Sequence, residues 1–296
     1  MHEKMLLVGI VSNVSKTLDK ELKVVLKALS VFDHVDIFLV ESDSIDQTIK
    51  VLSKLESNNK NFKFSTLGQL RDDYPSRIER ITHCRNVYVK YIRNHYAVSK
   101  WKYIAVADLD GMNFKLKKRG ILSCLESKIN WDGITANQKF GYYDIFALRA
   151  KGWVEKDCFE DINYYKRTLV PPRARKSKII NFIVNFNHYD KIRQLCIYDK
   201  MKILKSKQGL IKVTSAFGGF ALYRPNVFLH SEYKSSNGVE SEHIYLHESA
   251  GKQEYEFYIN PRLINNYFNS YNINKFYLVR ILREIRKLIW LTNYDA

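Results

Sequence analysis

What most limits the folds open to this chain is an alternation that runs from residue 6 to residue 110. Residues 6–11 (LLVGIV) form a short β-rich apolar run that ends in Ser12-Asn13. Residues 16–31 then place Leu18, Leu22, Val25, Leu26 and Leu29 at helical spacing. A second apolar run at 35–40 enters the polar stretch Glu41-Ser42-Asp43-Ser44-Ile45-Asp46. Residues 49–55 resume a helix for which Ser44 or Asp46 is the expected N-cap. A third strand is expected at 62–67, a long helix at 77–97, and a fourth strand at 101–107 that stops at Asp108-Leu109-Asp110-Gly111. Strands and helices in alternation predict an α/β fold with a mixed, mostly parallel sheet covered by helices on both faces. Such sheets bind ligands beyond the carboxyl ends of their strands. Ser12-Asn13, residues 41–46 and residues 108–111 are therefore expected to converge on one sheet edge.

Beyond residue 110 the pattern is less regular. A strand is expected at 133–136, and β character returns at 213–223 around Gly218-Gly219. Residues 160–212 hold thirteen Lys or Arg against four Asp or Glu, which reads as a basic, partly helical insertion around a Pro171-Pro172 turn. Without a long Gly/Ser/Pro linker, residues 1–270 are expected to form one domain, followed by a basic amphipathic helix within 271–296. In that helix Leu278, Ile281, Leu282, Ile285, Leu288 and Ile289 form one stripe, flanked by Arg280, Arg283, Arg286 and Lys287. Such a helix, spanning 274–291, either lies on an anionic membrane surface or docks on its own domain.

Four widely spaced cysteines with no Cys-x-x-Cys pair argue against a disulfide framework or a zinc ribbon, and for a reducing, cytoplasmic setting. The apolar run at 5–11 is too short for a signal peptide and follows Glu3 and Lys4. No segment reaches the ~20 apolar residues of a membrane span, so any membrane association is expected to be peripheral, on the inner face. The formal net charge of +17 demands an anionic partner: nucleic acid, an anionic membrane or phosphate-bearing small molecules.

Two carboxylates in Asp-x-Asp at a strand end can share a divalent cation, and hard oxygen ligands suit Mn2+ or Mg2+. The same residues can equally be solvated aspartates of a loop, so position decides between the readings. Arg77, Arg80 and Arg85 fit either a phosphate-facing cluster or a charged helix face. Gly218-Gly219 marks a close backbone approach or a bulge. His243 and His247, four apart, share a face on a helix or a strand, and the metalloprotease order His-Glu-x-x-His is absent.

The order of these features resembles glycosyltransferases of the GT-A type: Ile10-Val11-Ser12-Asn13, then Glu41 to Asp46, then Asp108-Leu109-Asp110. A nearer similarity is to the capsule and cell-surface mannosyltransferase-like (cryptococcal mannosyltransferase-related) families. It rests on Arg77-Ile-Glu-Arg80 with Cys84-Arg85-Asn86, on 143–149 (YDIFALR), on 215–220 (SAFGGF) and on 242–247 (EHIYLH). The resemblance implies transfer of a sugar from a UDP- or GDP-sugar to a surface-polysaccharide, lipid-linked or glycan hydroxyl. It implies a nucleotide-sugar site of Ser12, Asn13, Glu41, Asp43, Arg85 and Asp108, with Asp108, Asp110 and His247 on the metal. Asp144 would orient a sugar hydroxyl, and Glu242 would be the general base of an inverting reaction or position the acceptor in a retaining one. Arg149 would either contact an anionic group or form a structural ion pair. The rivals are a nucleic-acid-binding protein, for which no helix-turn-helix or RNA-recognition signature is present, and a metal-dependent nucleotidyltransferase, for which no amino-terminal Gly-rich phosphate loop is present. Nucleic acid is accordingly not an expected partner.

Overall fold

A computed structural model describes residues 3–169, 178–235, 240–268, 272–276 and 278–282. The elements are β1 (Lys4–Val11), α1 (Leu18–Ala28), β2 (His34–Glu41), α2 (Thr48–Asn58), β3 (Phe62–Thr66), α3 (Arg77–Ser99) and β4 (Tyr103–Ala107). They continue with α4 (Lys118–Leu125), β5 (Gly133–Gln138), α5 (Cys158–Thr168), α6 (Lys178–Cys196), β6 (Ile211–Val213) and β7 (Phe220–Tyr223). Last come α7 (Asn226–His230), α8 (Glu242–Gly251) and β8 (Phe257–Asn266).

Among the described residues the strands form one mixed sheet in the order β3-β2-β1-β4-β7-β5-β8-β6. The pairs β1–β2, β1–β4, β2–β3 and β5–β8 are parallel, whereas β7 is antiparallel to both β4 and β5, and β6 to β8. Because β7 reverses between β4 and β5, the strands β1 to β5 and β8 all end on the same sheet edge. This is the α/β architecture expected from the alternation.

Side chains leave successive strand positions on opposite faces. Leu6 and Val8 accordingly join a core with Tyr88, Val89 and Ile92 of α3, while Met5 and Leu7 join Leu18, Leu22 and Val25 of α1. At the start of α2 the N-cap position is Gln47, not Ser44 or Asp46; Asp46, two residues before the helix, accepts hydrogen bonds from the Thr48 amide (2.9 Å) and the Thr48 hydroxyl.

Two elements depart from expectation. The β run read at 213–223 divides into β6 and β7, separated by a crossing that contains Gly218-Gly219. The strand β8 was not legible, because Pro261 interrupts it. Pro261 is tolerated because β6 pairs only with Phe257 to Ile259, and on the other side the proline falls in the register shift of β5 against β8, between Ile259 and Ile264. The described parts of the basic segment are helical in α5 and α6, while the Pro171-Pro172 turn lies outside the described residues. Of the terminal amphipathic helix, residues 278–282 are helical and the stretch from 283 onward also lies outside them. Among the described residues no helix is long and apolar enough to cross a membrane.

Candidate active site

The loops after β1 and β2 are built as one unit. Asn13 takes a left-handed conformation (φ 54°), with its amide donating to the Ser44 hydroxyl (3.0 Å) and its side-chain oxygen accepting from the Ile45 amide (2.9 Å). Asp46 accepts from the Ser15 amide (3.1 Å) and hydroxyl (2.7 Å), and these hydrogen bonds hold its carboxyl down at about 2. Glu41 is buried beneath this unit. Its carboxylate accepts from the Ser44 amide (3.0 Å) and the Thr66 hydroxyl, so it braces the loop rather than facing a ligand.

A cleft of about 340 Å³ opens beside these loops at the carboxyl ends of β1, β2 and β4. Ser12, Ser42 and Asp43 line it together with Arg71, Arg77, Arg80 and Arg85 and with Asp108 and Asp110. Asp43 is fixed by the Leu70 amide (2.9 Å) and lies 3.7 Å from Arg80. Arg80 also donates to the carbonyls of Tyr74 (2.7 Å) and Pro75 (2.9 Å). Arg71, 4.0 Å from Asp43, and Arg77 are the exposed cations of the cleft.

Arg85, at 3% exposure, is the hub of the site. It donates through Nε to Glu242 (2.7 Å), through one terminal nitrogen to Asp108 (3.2 Å) and through the other to the Tyr88 hydroxyl (3.2 Å). The rings of Phe217 and Tyr233 sandwich the guanidinium at 5.2 and 5.4 Å. Two carboxylates from opposite ends of the sequence are thus bound to one buried cation. Burial pushes the Asp108 carboxyl up to about 7; Arg85 opposes the shift, and Asp110, Glu242 and Asp144 reinforce it. Asp110 is raised as well, first by desolvation, with Arg77 acting against it.

The turn that follows β6 closes the floor. Gly218 and Gly219 both have positive φ (72° and 83°), and a Cβ on Gly218 would stand 2.7 Å from the Ala136 carbonyl oxygen. Asp144 accepts from the Gly218 amide (2.9 Å) and the Ala147 amide (3.3 Å), and the Asp108 amide donates to the Gly219 carbonyl (3.0 Å). The close approach at this turn is therefore to protein backbone, and Asp144 is the residue that fixes it. Beneath the acidic loop lies Glu21 of α1, fully buried. It accepts from the amides of Gly111 (2.6 Å) and Asn113 (2.6 Å), and burial raises its carboxyl to about 7.

No family model matches the chain, and no curated protein sequence matches it. Solved structures do share its outline. The mannosyltransferase PcManGT from Pyrobaculum calidifontis, in complex with GDP-Man and Mn2+, superposes with a TM-score of 0.47 at 8% identity, over 90% of this chain and 58% of that one. TarS 1-349 from S. aureus in complex with UDP-GlcNAc gives 0.45 at 11% identity, over 93% and 61%, and TarS 1-349 gives 0.41 at 14% identity, over 86% and 57%. The chain spans about three fifths of the length of these structures.

Of the residues singled out in the sequence, Ser12, Asp43, Arg85, Asp108 and Asp110 meet at the cleft, and Glu242 reaches it through Arg85. Asn13 shapes the loop, Glu41 supports it, and Asp144 holds the turn below. His247 lies elsewhere. It is fully buried, its Nδ1 is 3.0 Å from the Ser215 hydroxyl and its Nε2 is 2.9 Å from the Tyr223 hydroxyl, so both nitrogens are engaged away from the aspartates. Burial holds its imidazole at about 3, hence neutral. Among the described residues no group of three or more His, Cys, Asp and Glu is arranged to hold a metal. Arg149 forms structural ion pairs with Asp157 (3.4 Å) and Glu240 (3.0 Å). His243 stacks on Phe217 (3.9 Å between ring centroids), and neither of its nitrogens has a hydrogen-bond partner among the described residues. Arg71 and Glu21 escaped sequence reasoning. Arg71 stands alone in a loop, and Glu21, three residues after Leu18 and four before Val25, is a lone charge on the edge of the apolar stripe.

Proposed function

We propose that the chain is a metal-dependent glycosyltransferase of the GT-A type. It transfers a sugar from a UDP- or GDP-sugar to a hydroxyl of a glycan, surface polysaccharide or lipid-linked acceptor. The observation that supports this most is the placement of Asp108 and Asp110 at the carboxyl end of β4, lining one cleft with Arg71, Arg77 and the loops after β1 and β2. A nucleoside diphosphate offers complementary chemistry: hydroxyl and amide groups toward Ser12 and Asp43, and oxyanions toward the arginines.

The acidic pair fits Mn2+ or Mg2+. Its carboxylates are hard donors, and the Asp108 carboxyl, raised first by burial and then by Asp110, Glu242 and Asp144, has a charged form that a divalent cation would stabilise. A cation bound there supplies Lewis-acid neutralisation of charge on the departing diphosphate. The chain's own residues do the positioning. Arg85 ties Asp108 to Glu242, so one guanidinium fixes both carboxylates. In an inverting reaction Glu242 takes the proton of the acceptor hydroxyl; in a retaining one it orients that hydroxyl.

Thermal unfolding tests the reading. UDP or GDP with Mn2+ is expected to raise the Tm, as any ligand that binds only the folded state must. Asp110→Ala is expected to lose the metal-dependent part. Equal stabilisation of both proteins, or of neither, would sink the proposal.

A further inference from the structure

A second cavity, of about 710 Å³, lies on the same sheet edge at the carboxyl ends of β5 and β8, and it shares no lining residue with the donor cleft. Lys115, Lys117 and Arg119 reach it from the acidic loop and the first turn of α4, Lys139 follows β5, Lys205 and Lys207 precede β6, and Arg262 lies in β8. No carboxylate lines this cavity, and none of the seven cations has a carboxylate within ion-pair distance among the described residues. Like charges brought together in a concave site repel unless an anion joins them, and a concave wall focuses their field on whatever enters. So many converging donors match the charge density of phosphate oxyanions better than that of a single carboxylate.

The cavity is coupled to the acidic pair through one loop. Asp108 and Asp110 begin the loop, and Lys115 and Lys117 end it. Between them the Lys115 amide donates to the Asn265 carbonyl (2.9 Å), and the Asn265 side chain donates to Asn113 (3.1 Å). At the rim, the Lys139 ammonium sits 4.8 Å over Tyr267 and 5.5 Å over Phe140, and Phe140 stacks on the half-exposed Phe268 at 4.3 Å. Ile203, 56% exposed, adds to this apolar border.

We infer that this basic cavity binds the phosphate or diphosphate group of the acceptor and so sets its class: an acceptor that carries phosphate near the hydroxyl to be glycosylated. The assignment of the bound group to an acceptor rests on the transferase reading above; the phosphate site does not. The apolar rim accommodates a hydrocarbon chain attached to that phosphate, so a soluble diphosphate and a lipid headgroup are the two sources to separate.

The test uses the full chain in EDTA, with inorganic pyrophosphate as one probe and phosphatidylglycerol-in-phosphatidylcholine vesicles as the other. At least one probe is expected to bind, and Lys115→Ala/Lys139→Ala/Arg262→Ala is expected to weaken it by on the order of tenfold or more. The charge-preserving Lys115→Arg/Lys139→Arg is expected to retain binding, which separates loss of charge from loss of fold. Which probe responds identifies the source. Binding of neither probe, unchanged binding by the triple Ala variant, or tighter cavity-dependent binding of a single-stranded oligonucleotide than of pyrophosphate would overturn the inference. Metal-dependent release of nucleotide from the donor without acceptor reads the cleft alone. Its absence in the unsubstituted chain would count against the transferase reading and leave the phosphate site standing.

Discussion

At the scale of single residues, the site is organised by charges that water does not reach. Glu21 shows how such a charge responds to pH. Its folded carboxyl sits near 7 against an ordinary value of 4.5, so between these values the folded chain holds a proton that the unfolded chain has lost. Its contribution to stability is therefore complete below about 4.5 and declines as pH rises to about 7. Denaturant unfolding in EDTA is expected to show the unsubstituted chain losing up to about 3 kcal/mol relative to Glu21→Gln across that window, and no further change above it. A difference independent of pH would contradict the burial of an ionisable Glu21. Arg85 is a second case. Arg85→Met leaves Asp108 and Glu242 buried without their cation and is expected to cost about 3–5 kcal/mol in the same measurement at pH 8. Adding Glu242→Gln to that variant is expected to recover part of the loss.

At the scale of elements, the site depends on how strands end. The loops after β1, β2 and β4 were legible because an apolar run stopping at polar residues is a local signal, and that signal located Ser12, Asp43, Asp108 and Asp110. What lay beyond the sequence was contact between distant segments. Arg85 meets Glu242 across 157 positions, and Gly111 meets Glu21 across 90. No periodicity within either segment records such a pair. His247 misled for a related reason: a histidine late in the chain can face a ligand or a core, and only packing against Ser215 and Tyr223 decides. The strand β8 was hidden by Pro261, whose tolerance depends on the short reach of β6 and on the register shift of β5. The turn at Gly218-Gly219 offers a test at this scale. Gly218→Ala forces a side chain into a left-handed conformation against the Ala136 carbonyl, and is expected to cost about 1–3 kcal/mol. Because the same turn carries the Gly219 carbonyl that holds the Asp108 amide, metal-dependent nucleotide stabilisation should fall along with it. A variant as stable as its parent would show that the turn relaxes freely.

At the scale of the whole molecule, part of the +17 charge gathers at two places on one sheet edge: a cleft where arginines meet carboxylates, and a cavity where cations stand without them. The carboxyl-terminal segment adds a third feature. Arg280, expected on the polar flank of the apolar stripe, is buried against Asp190 (2.9 Å), while Leu278 and Leu282 of the stripe are 73% and 62% exposed. The arginine, not the leucines, anchors the described part of this segment. Removing residues 274–296 is expected to reduce partition onto anionic vesicles, and Arg280→Ala alone to lower stability. The central claim is the metal-assisted nucleotide-sugar cleft, and turnover tests it most directly. Release of UDP or GDP from a panel of nucleotide sugars should depend on Mn2+, stop on adding EDTA, and fall by on the order of a hundredfold or more in Asp110→Ala. Release that is insensitive to EDTA and to Asp110→Ala would contradict it.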